Sequence, residues 1–138
     1  MMGNKINQEL DVNFIPELLE PEVFKQKAEL FTNLWSWLEK EIYRTNRLKG
    51  WIQNRTERNN GEMIALAHSE LSEALEYMRH GNPKSDHIEM SGAEEELADV
   101  LIRVMDLSFN RKFNVPKAFF LKLAYNKTRP YKHGGKLF

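Results

Sequence analysis

HSELSEALEYMRHG at residues 68–81 and EEELADVLIRVMDL at residues 94–107 decide how this chain folds. Each holds two acids three positions apart, Glu70 and Glu73 in the first, Glu96 and Asp99 in the second. On an α-helix that spacing places both side chains at neighbouring points of one face. Twenty-two residues lie between Glu73 and Glu96, room for the rest of one helix, a turn and the start of another. Two antiparallel helices would then aim four carboxylates at one point. Such a set repels itself strongly unless a cation sits among the acids. Oxygen-only ligands suit a hard cation, Mg²⁺ first and Mn²⁺ as its substitute. A di-iron bundle would place His at the fourth position of each motif. Here those positions are Glu73 and Asp99, which favours Mg²⁺ over iron.

Helical angles set these acids apart from an ordinary solvated pair. At about 100° per residue, Met63, Leu66, Ala74 and Tyr77 all fall within about 40° of Glu70. Glu73 lies about 60° away, at the edge of that apolar face. Ser69, Ser72, Glu76 and Arg79 take the opposite side. An unpaired charge in the middle of an apolar face costs several kcal/mol, so Glu70 requires a metal, another cation or a proton. In the second stretch Val100 and Leu107 flank Glu96 within about 40°, with Arg103 about 20° to the other side. Asp99 and Asp106 lean further away, toward water or a cleft. Two readings stay open on spacing alone. Acid pairs at this interval are common on exposed helix faces, and a salt bridge from Arg103 or Lys122 would satisfy Glu70 without metal.

The flanking sequence reads as helix throughout. Pro16 and Pro21 break the irregular start. Phe24, Ala28, Phe31, Trp35, Leu38 and Ile42 recur at intervals of four and three, an amphipathic helix over roughly 22–44. A polar connection follows from Asn46 to Gly61, with Trp51 and Ile52 as apolar exceptions. The second helix opens near Glu62 and stops at Gly81, a residue suited to the position after a helix end. Ser91-Gly-Ala-Glu94 is a capping box for the third helix, which runs to about Arg111. Pro116 suits the first turn of a fourth helix, which ends before Pro130. No stretch alternates as a strand would. The division that follows is an N-terminal extension, 1–45, carrying one long helix, and a core, 46–138, within a single domain overall.

Composition narrows the function. The chain has 138 residues and no Cys, which removes disulfides, thiol nucleophiles and thiolate zinc sites. Lys+Arg and Asp+Glu are both 20, and a zero net charge argues against a nucleic-acid partner. No apolar run is long enough for a bilayer and no signal-peptide core stands at the N-terminus, so no membrane partner and a cytoplasmic location are expected. Charge is uneven along the chain, acidic over 86–99 and basic over 122–136.

Taken together, the two acid motifs, their separation and the C-terminal words KLAYNKTRP (122–130) and HGGK (133–136) resemble the all-α nucleoside triphosphate pyrophosphohydrolases. That superfamily includes MazG-like proteins, dimeric dUTPases and dCTP pyrophosphatases, and the MazG-like group is the most similar. The resemblance covers roughly residues 46–136. It implies an all-α, four-helix module completed by dimerisation, as homodimer or homotetramer. It implies Mg²⁺ on Glu70, Glu73, Glu96 and Asp99, with Glu70 and Glu73 catalytic, and hydrolysis of a (d)NTP to the (d)NMP and pyrophosphate. The expected role is nucleotide-pool house-cleaning. By the same resemblance Lys122 and Asn126 hold phosphates, Arg129 assists and Lys136 closes over them. Spacings of four and three put Lys122, Asn126 and Arg129 on one face of the fourth helix, although cations are favoured at a helix C-terminus for other reasons. Some relatives carry an acid just before the first motif Glu, a candidate for orienting the attacking water. Here that residue is Ser69, so the water is left to the metal or to one of the four acids. Trp51 is a candidate for stacking on the base, against a plain core or interface role. Trp35 belongs to the apolar stripe, and Trp37 lies off it. A non-catalytic helical interaction module that keeps the family's shape is the alternative.

Overall fold

A computed structural model describes residues 21–52 and 58–135. The described chain is all-α. Helix α1 spans Pro21–Leu48, α2 Asn60–Arg79, α3 Gly92–Arg111 and α4 Val115–Lys127, and a single turn, α5, spans Lys132–Gly135. The only extended pairing among the described residues is one bridge between Lys84 and Ser91. No helix among them is long and apolar enough to cross a membrane.

The helix ends follow their side-chain chemistry. Asn59 caps α2 by accepting from the backbone N–H groups of Gly61 and Glu62, which would otherwise lack partners. Beyond α2, Gly81 takes a φ of 81°, open to a residue without Cβ. The expected capping box at Ser91 and Glu94 is formed. Asn114 caps α4 through the Lys117 N–H, and Pro116 sits in its first turn as expected. Helix α1 runs past the expected end near residue 44. Polarity alone does not stop a helix; α1 ends at Leu48, and Gly50 just beyond it takes a φ of 81°. The α5 turn takes in His133, Gly134 and Gly135 of the HGGK word.

The chain divides into two compact units, and the division falls inside α1. One unit takes the chain up to Trp35 and from Asn114 onward; the other takes Ser36–Phe113. In the first, Phe31 stands 5.7 Å from Trp35, 5.5 Å from Phe119 and 5.6 Å from Phe120, ring centre to ring centre. Phe24 meets Phe120 edge-on at 5.3 Å. Such pairs add about 0.5–1.5 kcal/mol each beyond the burial itself. Trp35 is buried there, in line with its place on the stripe, and Trp37 is exposed.

The second unit is built on α2 packed against α3. The pair is antiparallel. Arg111 at the end of α3 bonds Asn60 at the start of α2, while Gly92 at the start of α3 abuts the Tyr77 ring near the end of α2. The loop between them is tied back on itself. Ser85 donates its N–H to the Met90 carbonyl at 2.9 Å, Gly92 to the Pro83 carbonyl at 2.9 Å, and Ala93 to the Asn82 side chain at 3.0 Å. Ile52, Met63, Ala74, Ala93 and Met105 are buried in this unit. A fully buried Met or Ile is worth about 1.5–3 kcal/mol, and these residues fix the register that sets the acids opposite one another.

Candidate metal centre

Glu70 on α2 is 7% exposed and Glu96 on α3 is 8% exposed. The apolar face expected around Glu70 is present, with Met63 and Ala74 buried and Leu66, Ala67 and Tyr77 half-buried. Glu70, Glu96 and the half-buried Asp99 each offer a carboxylate oxygen, and those oxygens lie within 4.8 Å of one another. The two motifs thus converge across the helix pair, but as three acids rather than four. Glu73 is exposed and stands outside this cluster. Its backbone position, about 60° round the helix from Glu70, carries its side chain to the rim. It remains near enough for its charge to raise the Glu96 pKa.

The electrostatics are those of crowded acids. Burial pushes the Glu96 carboxyl above its ordinary range, and the charges of Glu73, Glu70, Asp99 and Glu95 push it further. Burial likewise raises Asp99, with Glu70 adding to the rise and Arg103 opposing it. The Tyr77 hydroxyl is raised by burial and then by Glu95, Glu96, Asp86 and Glu73. Tyr77 lines a cleft of about 330 Å³ beside the cluster with Glu73, Glu76, His80 and Pro83. Tyr77 stands seven positions after Glu70 and shares its helical face, as the sequence spacing sets.

Among the described residues, Arg103 is paired with the cluster. Arg103 sets its Nη2 2.9 Å and its Nε 3.0 Å from the same oxygen, Glu70 Oε1. Of the two salt bridges open to Glu70 on sequence, the Arg103 one is made. Asp106, expected to lean toward water or a cleft, is instead 2% exposed. It pairs with Arg58 and accepts from the Asn110 side chain. Arg111 bonds both Asn60 and the Arg58 carbonyl, so Arg58 is held from two directions. Sequence could not have shown this network, because Arg58 lies 48 positions from Asp106 in a connecting segment.

The remaining expected residues belong to the other unit or to exposed chain. Lys122 and Asn126 are exposed on α4, and the Lys122 ammonium stands 4.6 Å from the centre of the Tyr125 ring. Arg129 does not share the α4 face. The helix ends at Lys127 with Thr128 as its cap, because the residue before Pro130 disfavours helical backbone. Lys136 lies outside the described residues. Trp51 is 78% exposed, so it is no core residue. Ser69 is exposed and donates its hydroxyl to the Leu66 carbonyl at 2.7 Å.

The donor set fits a hard divalent cation. Two oxygens on one ion at about 2.1 Å stand at most about 4.2 Å apart, and on a Ca²⁺-sized ion about 5 Å apart. Oxygens within 4.8 Å of one another are close enough for Mg²⁺ or Mn²⁺ to draw together. No family model matches this chain, and no curated protein or solved structure matches it.

Proposed function

We propose that the protein is a Mg²⁺-dependent nucleoside triphosphate pyrophosphohydrolase, converting a (d)NTP and water to the (d)NMP and pyrophosphate. The observation that carries this reading is the convergence of Glu70, Glu96 and Asp99 to within 4.8 Å, two of them buried. The likeness of the motif words to the all-α pyrophosphohydrolases adds the reaction class.

In this proposal Glu70, Glu96 and Asp99 hold the ion. Glu73 completes the set on binding or orients the attacking water, since it is exposed at the rim and has no ion pair among the described residues. A bound Mg²⁺ would neutralise phosphate charge and lower the pKa of a water. Ser69 offers no carboxylate, so in the second of these roles Glu73 would accept the water's proton. By the resemblance alone, Lys122, Asn126, Arg129 and Lys136 are the residues assigned to the phosphates, a role in which they would neutralise charge growing on the leaving pyrophosphate. Trp51 offers an exposed ring for stacking on the base. The active form is proposed to be a cytoplasmic homodimer or homotetramer, acting in nucleotide-pool house-cleaning.

The pairing of Arg103 with Glu70 favours a second reading. Glu70 is neutralised inside the chain, as a helical interaction module without activity would require. Pyrophosphate release from a panel of ribo- and deoxyribonucleoside triphosphates, with and without Mg²⁺, separates the two. Mg²⁺-dependent release lost in Glu70→Gln supports the enzyme. No release from any nucleotide by a folded protein, together with no Mg²⁺ binding, leaves the interaction module.

A further inference from the structure

We infer that Arg103 is an exchangeable internal cation that guards the metal centre, releasing Glu70 when a divalent ion enters. The inference rests on the metal-binding reading above and adds to it a residue that governs loading.

Three observations meet at Arg103. First, its Nη2 and Nε both reach Glu70 Oε1, at 2.9 and 3.0 Å. Glu70 is a member of the converging triad. An oxygen that already accepts two charged N–H groups has little lone-pair capacity left for an ion. Second, Arg103 lies one helical turn from Asp99 on α3, near enough for its charge to oppose the rise in the Asp99 pKa. It therefore compensates two of the three triad acids. Arg103 follows Asp99 by four positions and Glu96 by seven, so α3 holds all three on one side. Third, the Arg103 side chain is 38% exposed while that of Glu70 is 10% exposed. The guanidinium can withdraw into water, whereas the carboxylate cannot leave. A divalent ion and a guanidinium at one carboxylate repel each other, so occupancy by one disfavours the other.

Arg103 thus keeps the acids tolerable in the metal-free chain and lowers its affinity for metal. A merely structural salt bridge would act in the opposite sense: its loss would loosen the site and weaken metal binding.

The test is Mn²⁺ binding, followed by calorimetry on the full chain at about pH 8, for wild type, Arg103→Gln and Arg103→Lys. Circular dichroism confirms that each is folded. Arg103→Gln is expected to bind Mn²⁺ about tenfold more tightly than wild type, by loss of one nearby positive charge. Arg103→Lys, which keeps the charge without the two-nitrogen fork, should fall between them. In unmutated protein, the Arg103 Nε–H resonance should move toward its free position as Mg²⁺ is added. Equal or weaker Mn²⁺ binding by Arg103→Gln overturns the inference while leaving the metal site standing. An Nε–H signal unmoved at saturating Mg²⁺ does the same. No Mn²⁺ binding by any of the three proteins removes both the metal site and the role assigned to Arg103.

Discussion

The guanidinium of Arg103 on α3 holds one carboxylate oxygen of Glu70 on α2 through two nitrogens, at 2.9 and 3.0 Å, beside two further acids. Glu70→Gln separates what this contact does for folding from what the acids do together. The amide keeps the shape and relieves the cost of burying a charge, while the two charge-assisted bonds weaken. These effects oppose each other, so the stability change should stay within about 1 kcal/mol. Any rise in melting temperature on adding Mg²⁺ should vanish, and pyrophosphate release should fall at least the roughly 100-fold that even outer residues of metal sites can cost. A collapsed fold with no Mg²⁺ response in wild type would make Glu70 a structural partner only.

The crowded acids also predict a pH dependence. Glu96 and Asp99 both have carboxyls raised above their ordinary values, Glu96 mainly by burial and then by Glu73, Asp99 mainly by burial and then by Glu70. Between the ordinary value of about 4 and the raised one, the folded chain binds more protons than the unfolded chain. Stability therefore falls as pH rises through that window. In the absence of divalent ions the melting temperature should be higher near pH 5 than near pH 8, and Mg²⁺ should stabilise more at the higher pH. Glu94 has a lowered pKa from its capping contacts with Ser91, and it works in the opposite sense only at more acid pH. A chelator-treated melting temperature that is flat, or that falls from pH 8 to pH 5, would count against the crowding.

How far the sequence carried can be judged from individual residues. Helical periodicity placed Glu70 on its buried face, and the capping box and Pro116 placed the helix starts, because each depends on neighbours within one or two turns. The edge position of Glu73 did not show which way its side chain turns, and the end of α1 at Leu48 lies beyond the expected one. A carboxylate 60° off a face can turn inward or outward, and a polar run does not reveal whether it stays helical. The Asp106 network was out of reach, since its partner comes from a distant connecting segment. Of the two salt bridges open to Glu70, only the packed helices decide for Arg103.

Gly92 is a second point where packing fixes the site. A Cβ there would lie 2.2 Å from two carbons of the Tyr77 ring and 2.5 Å from a third. No real contact is that short, so the ring must move, and with it one wall of the cleft beside Glu73. Gly92→Ala should therefore cost about 1–3 kcal/mol in urea unfolding, the usual penalty for overpacking. In a Tyr77→Ser background most of that cost should disappear. An equal cost in both backgrounds would show that the close approach is not its origin.

Asp106 gives the sharpest stability test, because its charge is buried and its partners are known. Its side chain is 3% exposed, while that of Arg58 is 19% exposed. Asn110 donates its side-chain amide to both the Asp106 carboxylate and its backbone carbonyl, and among the described residues its own Oδ1 has no hydrogen-bond partner. Asp106→Ala removes the acceptor and leaves Arg58 without its carboxylate. Breaking a buried pair from one side costs about 3–5 kcal/mol. Arg58 keeps some access to water, so the lower figure, about 3 kcal/mol, is expected. That corresponds to a fall in melting temperature of roughly 10 °C for a chain of this size. Arg58→Met alone should cost less than Asp106→Ala. The double variant should cost less than the two single changes together, by at least 1 kcal/mol, the coupling expected of residues in direct contact. Strict additivity would mean that the two side chains do not stabilise the α2–α3 pair through each other.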